Sequence, residues 1–155
     1  QLRPESRGHV HIRSADPLAP PRITPNYLAD PLDRHVIVEG LRWARRIAAA
    51  QPLADFIDHQ INPAEDIVSE EDLLTHARRA GTTLYHPVGT CAMGHGPTAV
   101  VDPRLRVHGV RGLRVVDASI MPRIISGNTN APTIAIAEKA SDMILTDAIQ
   151  NTIMA

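Results

Sequence analysis

The sequence predicts an α+β chain. Three observations carry that expectation: a short alternating strand near the amino end, two stretches of helical period in the middle, and a β-branched run followed by a very apolar helix near the carboxy end. A chain of 155 residues is long enough to bury a core, and 43% apolar with 21% charged residues is a globular composition. Aromatic residues make up only 3%, so the core must be built from Ile, Leu, Val and Ala. No repeat or low-complexity segment is visible.

Gly8–Arg13 alternates, with Val10 and Ile12 on one face and His9, His11 and Arg13 on the other, as in a half-buried strand. His9 and His11 would point the same way, but no third ligand lies nearby, so a solvated face is expected and no metal site. Between Ser14 and Pro31 the prolines Pro17, Pro20, Pro21, Pro25 and Pro31 forbid helix. Arg22–Tyr27 is an edge-strand candidate within that stretch. From Leu32 the period turns helical, with Val36, Gly40, Trp43, Ala44 and Ile47 on one stripe and Arg34, Arg42, Arg45 and Arg46 largely elsewhere. Pro52 stops this helix or begins the short segment Leu53–His59.

Ser69-Glu70-Glu71-Asp72 places a hydroxyl before an acidic first turn, the pattern of a helix start. That helix runs through Leu73, Leu74 and Ala77 to Arg78-Arg79-Ala80-Gly81, where basic residues and a glycine mark its end. Its arginines are expected to be helix-end and surface charges. Ala99–Pro103 and Leu105–Val110 suggest short paired strands. Leu113–Asp117 suggests a buried strand of a parallel or mixed sheet. Pro132 suits the first turn of a helix capped by Asn130 or Ala131. Ile134, Ala135, Ile136, Ala137, Ala140, Met143 and Ile144 make that helix apolar almost all round at its start, so it must be buried against more than this chain's own sheet.

A net charge of −1 gives no long-range pull toward nucleic acid or an anionic membrane, although eight histidines would make the chain more positive in acid. Cys91 is the single cysteine, which excludes an internal disulfide and suggests the cytoplasm. No run approaches the ~18 apolar residues of a transmembrane segment. Gln1-Leu2-Arg3-Pro4-Glu5 carries neither an initiator Met nor a signal-peptide pattern, and reads as a cut inside a longer chain. No G-x-S-x-G, H-E-x-x-H, G-x-x-x-x-G-K or paired C-x-x-C occurs, so hydrolase, zinc-enzyme and triphosphatase readings lack support.

Two loops stand out as chemistry. In Tyr85-His86-Pro87-Val88-Gly89-Thr90-Cys91-Ala92-Met93-Gly94, Pro87 restricts His86 to extended backbone, and Gly89 and Gly94 permit tight turns. An imidazole held this way suits general base work, although a loop histidine that only bonds its neighbours has the same local pattern. In Ser126-Gly127-Asn128-Thr129-Asn130-Ala131-Pro132-Thr133, two asparagines sit at the positive end of the apolar helix, where negative charge is stabilised, whether phosphate or a reduced anionic heterocycle. A plain Asn cap gives the same sequence. Asp117 ends the expected strand, where α/β folds bind ligands, or it caps the following turn. Cys91 is read as a small buried side chain and not a nucleophile.

Together with Val100-Val101-Asp102-Pro103, Leu105-Arg106-Val107-His108-Gly109 and Leu113-Arg114-Val115-Val116-Asp117-Ala118-Ser119-Ile120-Met121-Pro122, these loops resemble the carboxy-terminal region of the glucose–methanol–choline oxidoreductases. Leu2-Arg3-Pro4-Glu5-Ser6-Arg7-Gly8 and Asn26-Tyr27-Leu28-Ala29-Asp30-Pro31 resemble it too, so the likeness runs through nearly the whole chain in order. The resemblance implies an FAD enzyme that oxidises an alcohol substrate. Residues 1–98 would belong to a substrate domain of antiparallel sheet with helices, and residues 99–155 would supply the last strand and helix of the FAD-binding domain. His86 would take the alcohol proton as hydride passes to flavin N5, with Asn128 as the second catalytic residue. Asn130, Ala131 and Thr133 would lie along the pyrimidine edge of the flavin, and Asn128, with Asp117 and Ala118 on the return strand into the FAD domain, would also bind the cofactor.

The family's G-x-G-x-x-G is absent, since Gly94-His95-Gly96 is not followed by the third glycine. The resemblance therefore implies a fragment that needs an amino-terminal FAD-binding portion as its partner, and that alone binds FAD weakly or not at all. A binding or structural module that kept the fold and lost the chemistry is the alternative. The particular alcohol and the electron acceptor stay open.

Overall fold

A computed structural model describes residues 1–153. Its backbone divides into two units, one of Gln1 with Arg3–Thr83 and one of Leu2 with Leu84 onward.

The first unit contains β1 (His9–His11) and β2 (Arg22–Thr24), paired antiparallel with Val10 opposite Ile23. No helix packs on this ribbon among the described residues, so Val10 and Ile12 are exposed and not half-buried as their alternation suggests. The rings of His9 and His11 lie 4.7 Å apart on the strand face. Among the described residues no cluster of three His, Cys, Asp or Glu is placed to hold a metal.

Helix α1 (Pro31–Ala48) starts at Asp30, whose carboxylate accepts from Leu32 N–H, with Pro31 in the first turn. Helix α2 (Glu70–Ala80) starts at Ser69, whose hydroxyl accepts from Asp72 N–H at 3.0 Å. The two helices pack together, burying Val38 and Leu73. The apolar stripe expected to face inward is the outer one: Val36, Trp43 and Ile47 are exposed, while Val38 and half-buried Ile37, Leu41, Arg45 and Ala48 form the packed face. Helix α1 has two apolar sides, and period alone cannot say which one α2 covers.

Arg45 is likewise no surface charge. It donates to Gln60 Oε1 and to the carbonyls of Ala64 and Ile67, fastening that connection to α1. Gly81 ends α2 at negative φ; it is required because a Cβ there would stand 2.4 Å from the Ala77 carbonyl.

Asp33 went unnoticed in the sequence and is 2% exposed. Its carboxylate accepts from the N–H groups of Glu5 and Ser6 and from the Gln1 amide, tying the amino-terminal segment to α1. Burial pushes this carboxyl up, but the hydrogen bonds from Ser6 and Glu5 and the nearby Arg7 outweigh it and hold it below the usual range.

The second unit is built around Val101, Leu105, Ile120 and Ala140, with Met93, Val107, Val115 and Ile136 packed against them. The expected strands are reduced to isolated bridges, Met93 with Val101, Val101 with Val107, and Arg106 with Arg114. Leu113–Asp117 is extended but is not a strand of a sheet: a single bridge at Arg114 gives it no ladder, and Leu113 is exposed. Helix α3 (Asn130–Ile153) lays Ala140 and half-buried Ile136 and Met143 on this core, while Ile134, Ile144, Leu145 and Ile149 are exposed. Its far half is held by Asp147, which accepts from Arg104 at 2.5 Å and from Arg114. Hydrogen bonds from Arg114 and then Arg104 keep the Asp147 carboxyl below its usual range. None of the described helices is long and apolar enough to cross a membrane.

Candidate functional site

His86 opens a loop that the second unit stitches down by its backbone. Tyr85, just before it, has a φ of 61°, a left-handed conformation uncommon for an aromatic residue, and this turns the chain into the loop. Gly89 (φ 89°) is also left-handed, a conformation that L side chains rarely adopt. Cys91 N–H then donates to Ser119 O and Met93 N–H to Ile120 O, so the loop is fixed to the turn Ala118–Ile120. Cys91 itself is a half-buried free thiol.

The imidazole is half-buried, and its Nδ1 lies 2.8 Å from Thr129 Oγ1. Thr129 is 7% exposed and is the residue immediately before α3. Its carbonyl accepts from both Thr133 N–H and Thr133 Oγ1–H, the first bonds of the helix. The cap of α3 is therefore Thr129 and not Asn130 or Ala131, because the helix begins one residue earlier than the proline suggested.

The two loops expected to meet do meet, through Thr129. Asn128 is exposed beside it, as are Asn130 and Ala131, and Thr133 is half-buried. The first turn of α3 carries no acidic side chain, so its N–H groups and positive dipole end are left uncompensated. Such an end suits a neutral or anionic heterocycle edge presenting acceptors. Asp117 is turned to local structure: its carboxylate accepts from Ser119 N–H and Oγ–H, capping the turn that starts at Ala118. Among the described residues no glycine-rich turn leads into a helix in a way that would cradle a diphosphate.

An apolar groove of about 420 Å³ runs along α3 between Leu105, Ile120, Ile136 and Met143, and includes neither His86 nor Asn128. It belongs to the packing of α3. The partner the sequence reading missed is Thr129. A partial signal was Pro132, three residues on, which removes one of the two N–H groups a cap hydroxyl ordinarily serves.

Comparison with known proteins places these features in a family. Residues 4–137 match the GMC oxidoreductase family. The alcohol dehydrogenase [acceptor] of Pseudomonas putida is 46% identical over 93% of this chain and 26% of its own length. The oxygen-dependent choline dehydrogenase of Paraburkholderia xenovorans is 47% identical over 92% of this chain and 26% of its own length. Among solved structures, the pyridoxine 4-oxidase of Mesorbium loti matches with a TM-score of 0.85 at 35% identity, over 91% of this chain and 28% of that one. The formate oxidase of Aspergillus oryzae RIB40, a structure concerned with FAD modification, matches with a TM-score of 0.87 at 32% identity, over 94% and 26%. The chain belongs to the GMC oxidoreductase family and corresponds to its carboxy-terminal region, and FAD is the cofactor of that family. It spans about a quarter of the length of the relatives it matches.

Proposed function

We propose that this chain is the carboxy-terminal part of an FAD-dependent alcohol oxidoreductase and carries its proton-transfer side. In that protein residues 1–98 lie in the substrate domain and residues 99–155 return to the FAD domain. The observation that carries the reading is His86 held against the start of α3 within a chain of this family. Bound FAD supplies the hydride acceptor. His86 takes the hydroxyl proton of the alcohol, and charge that develops on the oxygen makes loss of hydride from the carbinol carbon easier. Asn128 donates a hydrogen bond to the same oxygen without competing for the proton. The products are an aldehyde or ketone and a protonated His86. Asn130, Ala131 and Thr133 would hold the pyrimidine edge of the cofactor, where the positive end of α3 would favour negative charge.

Among the described residues no glycine-rich turn is placed to hold a dinucleotide diphosphate, so by itself the chain should bind FAD weakly or not at all. A fluorescence titration with FAD and an assay of alcohol-dependent dye reduction test both halves. The chain alone should show neither, whereas a protein of the relatives' length that carries it should be yellow and turn over an alcohol. Tight FAD binding and turnover by the chain alone would overturn the proposed division of labour. A full-length protein that binds FAD but oxidises no alcohol across choline, aliphatic and aryl substrates would overturn the activity.

A further inference from the structure

We infer that Thr129 is the positioning residue that makes His86 a base, by accepting a hydrogen bond from Nδ1–H and so leaving the Nε2 lone pair for the alcohol. This rests on the function proposed above. Two features of the helix start release the hydroxyl for that task. The Thr129 carbonyl is already taken by both donors of Thr133, so only the hydroxyl is available to His86. The third helical position is Pro132, which has no N–H, so one of the two backbone donors that a cap hydroxyl ordinarily serves is absent, and the hydroxyl is turned to His86 instead. At 7% exposure, water competes poorly for the oxygen, and 2.8 Å to Nδ1 is a full hydrogen bond.

The direction of that bond follows from what the ring must do. A neutral imidazole carries one proton. To accept at Nε2 it must keep that proton on Nδ1, and a proton there needs an acceptor, which Thr129 Oγ1 provides. When Nε2 takes the alcohol proton, the Nδ1–H···Oγ1 bond is unchanged, so the protein need not reorganise as the proton moves. With the bond reversed, Nε2 would hold the proton and could accept nothing. Protonating the ring would then require the Thr129 bond to break. Only the first arrangement serves both protonation states of a base.

The wild-type full-length flavoenzyme gives the first test. With ¹⁵N-labelled histidine, ring-nitrogen NMR should show neutral His86 protonated on Nδ1; a proton on Nε2 would overturn the inference without any variant. In the full-length flavoenzyme, Thr129→Val keeps the branched shape and removes the hydroxyl. It should lower kcat by about 10- to 100-fold, a part of the roughly 10²- to 10⁴-fold that a positioned base contributes, with FAD content unchanged and KM little moved. Thr129→Ser should restore most of the rate. A Thr129→Val enzyme at wild-type kcat, or a Thr129→Ser enzyme as impaired as Thr129→Val, would overturn the role of the hydroxyl. His86→Ala separates the two levels: if it turns over normally the proposed function falls, whereas an inactive His86→Ala beside an unaffected Thr129→Val removes only the role of Thr129.

Discussion

Helices α2 and α3 both start from a hydroxyl, and they use it differently. Ser69 turns its oxygen back to Asp72 N–H, three residues into its own helix, and α2 follows with Glu70, Glu71 and Asp72 over its positive end. Thr129 has Pro132 at the same offset, no acid in the following turn, and its oxygen on His86. The first start is electrically closed and the second is open. A helix end that forgoes both its cap bond and its acidic first turn gives up about 1–2 kcal/mol of local stability. On the proposed function the open end is the one beside the chemistry, which separates residues whose loss should appear as unfolding from residues whose loss should appear as lost turnover.

The largest expected effect is on the open side. In the full-length enzyme, His86→Ala should lower kcat by about 10²- to 10⁴-fold while FAD stays bound, measured by steady-state kinetics and the flavin absorbance. A rate within about threefold of wild type would exclude His86 as the general base.

On the closed side, Asp33→Asn should cost roughly 2–4 kcal/mol in urea unfolding, because an amide NH₂ would confront the N–H groups that the carboxylate now accepts. The same residue fixes a pH dependence. Asp33 holds its proton less readily folded than unfolded. Its contribution is therefore complete above about pH 4 and is lost as pH falls through the lowered value. Acid titration of stability should show a fall in the wild type that is smaller in Asp33→Asn.

Ser69→Ala should cost about 1 kcal/mol and leave turnover of the full-length enzyme untouched. If it slows the reaction as Thr129→Val is expected to, the two helix starts do not differ in kind. The smallest effect is the most diagnostic. Asn130→Asp closes the open end, so it should stabilise α3 by about 0.3–1 kcal/mol yet weaken FAD binding by about fivefold. Both readouts moving in the same direction would dissociate the end of α3 from the cofactor.

Local chemistry was legible in the sequence. Ser69 and the Asn128–Thr133 run located two helix starts, because a cap and its helix are neighbours along the chain. The family motifs around His86 and Asn128 were legible for the same reason. Partners far apart in sequence were not. Asp33 holds residues near the amino end, Arg45 reaches Ala64 and Ile67, and Asp147 gathers Arg104 and Arg114. Each looks like an ordinary surface charge until the chain folds. Leu113–Asp117 shows the opposite error: a β-branched run has the composition of a buried strand, but a strand also needs neighbours that supply a ladder. In α1 the period was right and the side was wrong, since both faces are apolar.

One feature of α3 governs how the chain behaves at the bench. Ile134, Leu145 and Ile149 recur on the side of the helix away from Ala140 and Met143, and they meet water. Handled by itself, the chain presents these branched side chains to water, together with others such as Ile12 and Phe56, and its net charge of −1 does little to oppose association. It should self-associate increasingly with concentration and with sulfate. A pair of changes such as Leu145→Lys and Ile149→Glu should hold it monodisperse without touching the core beneath.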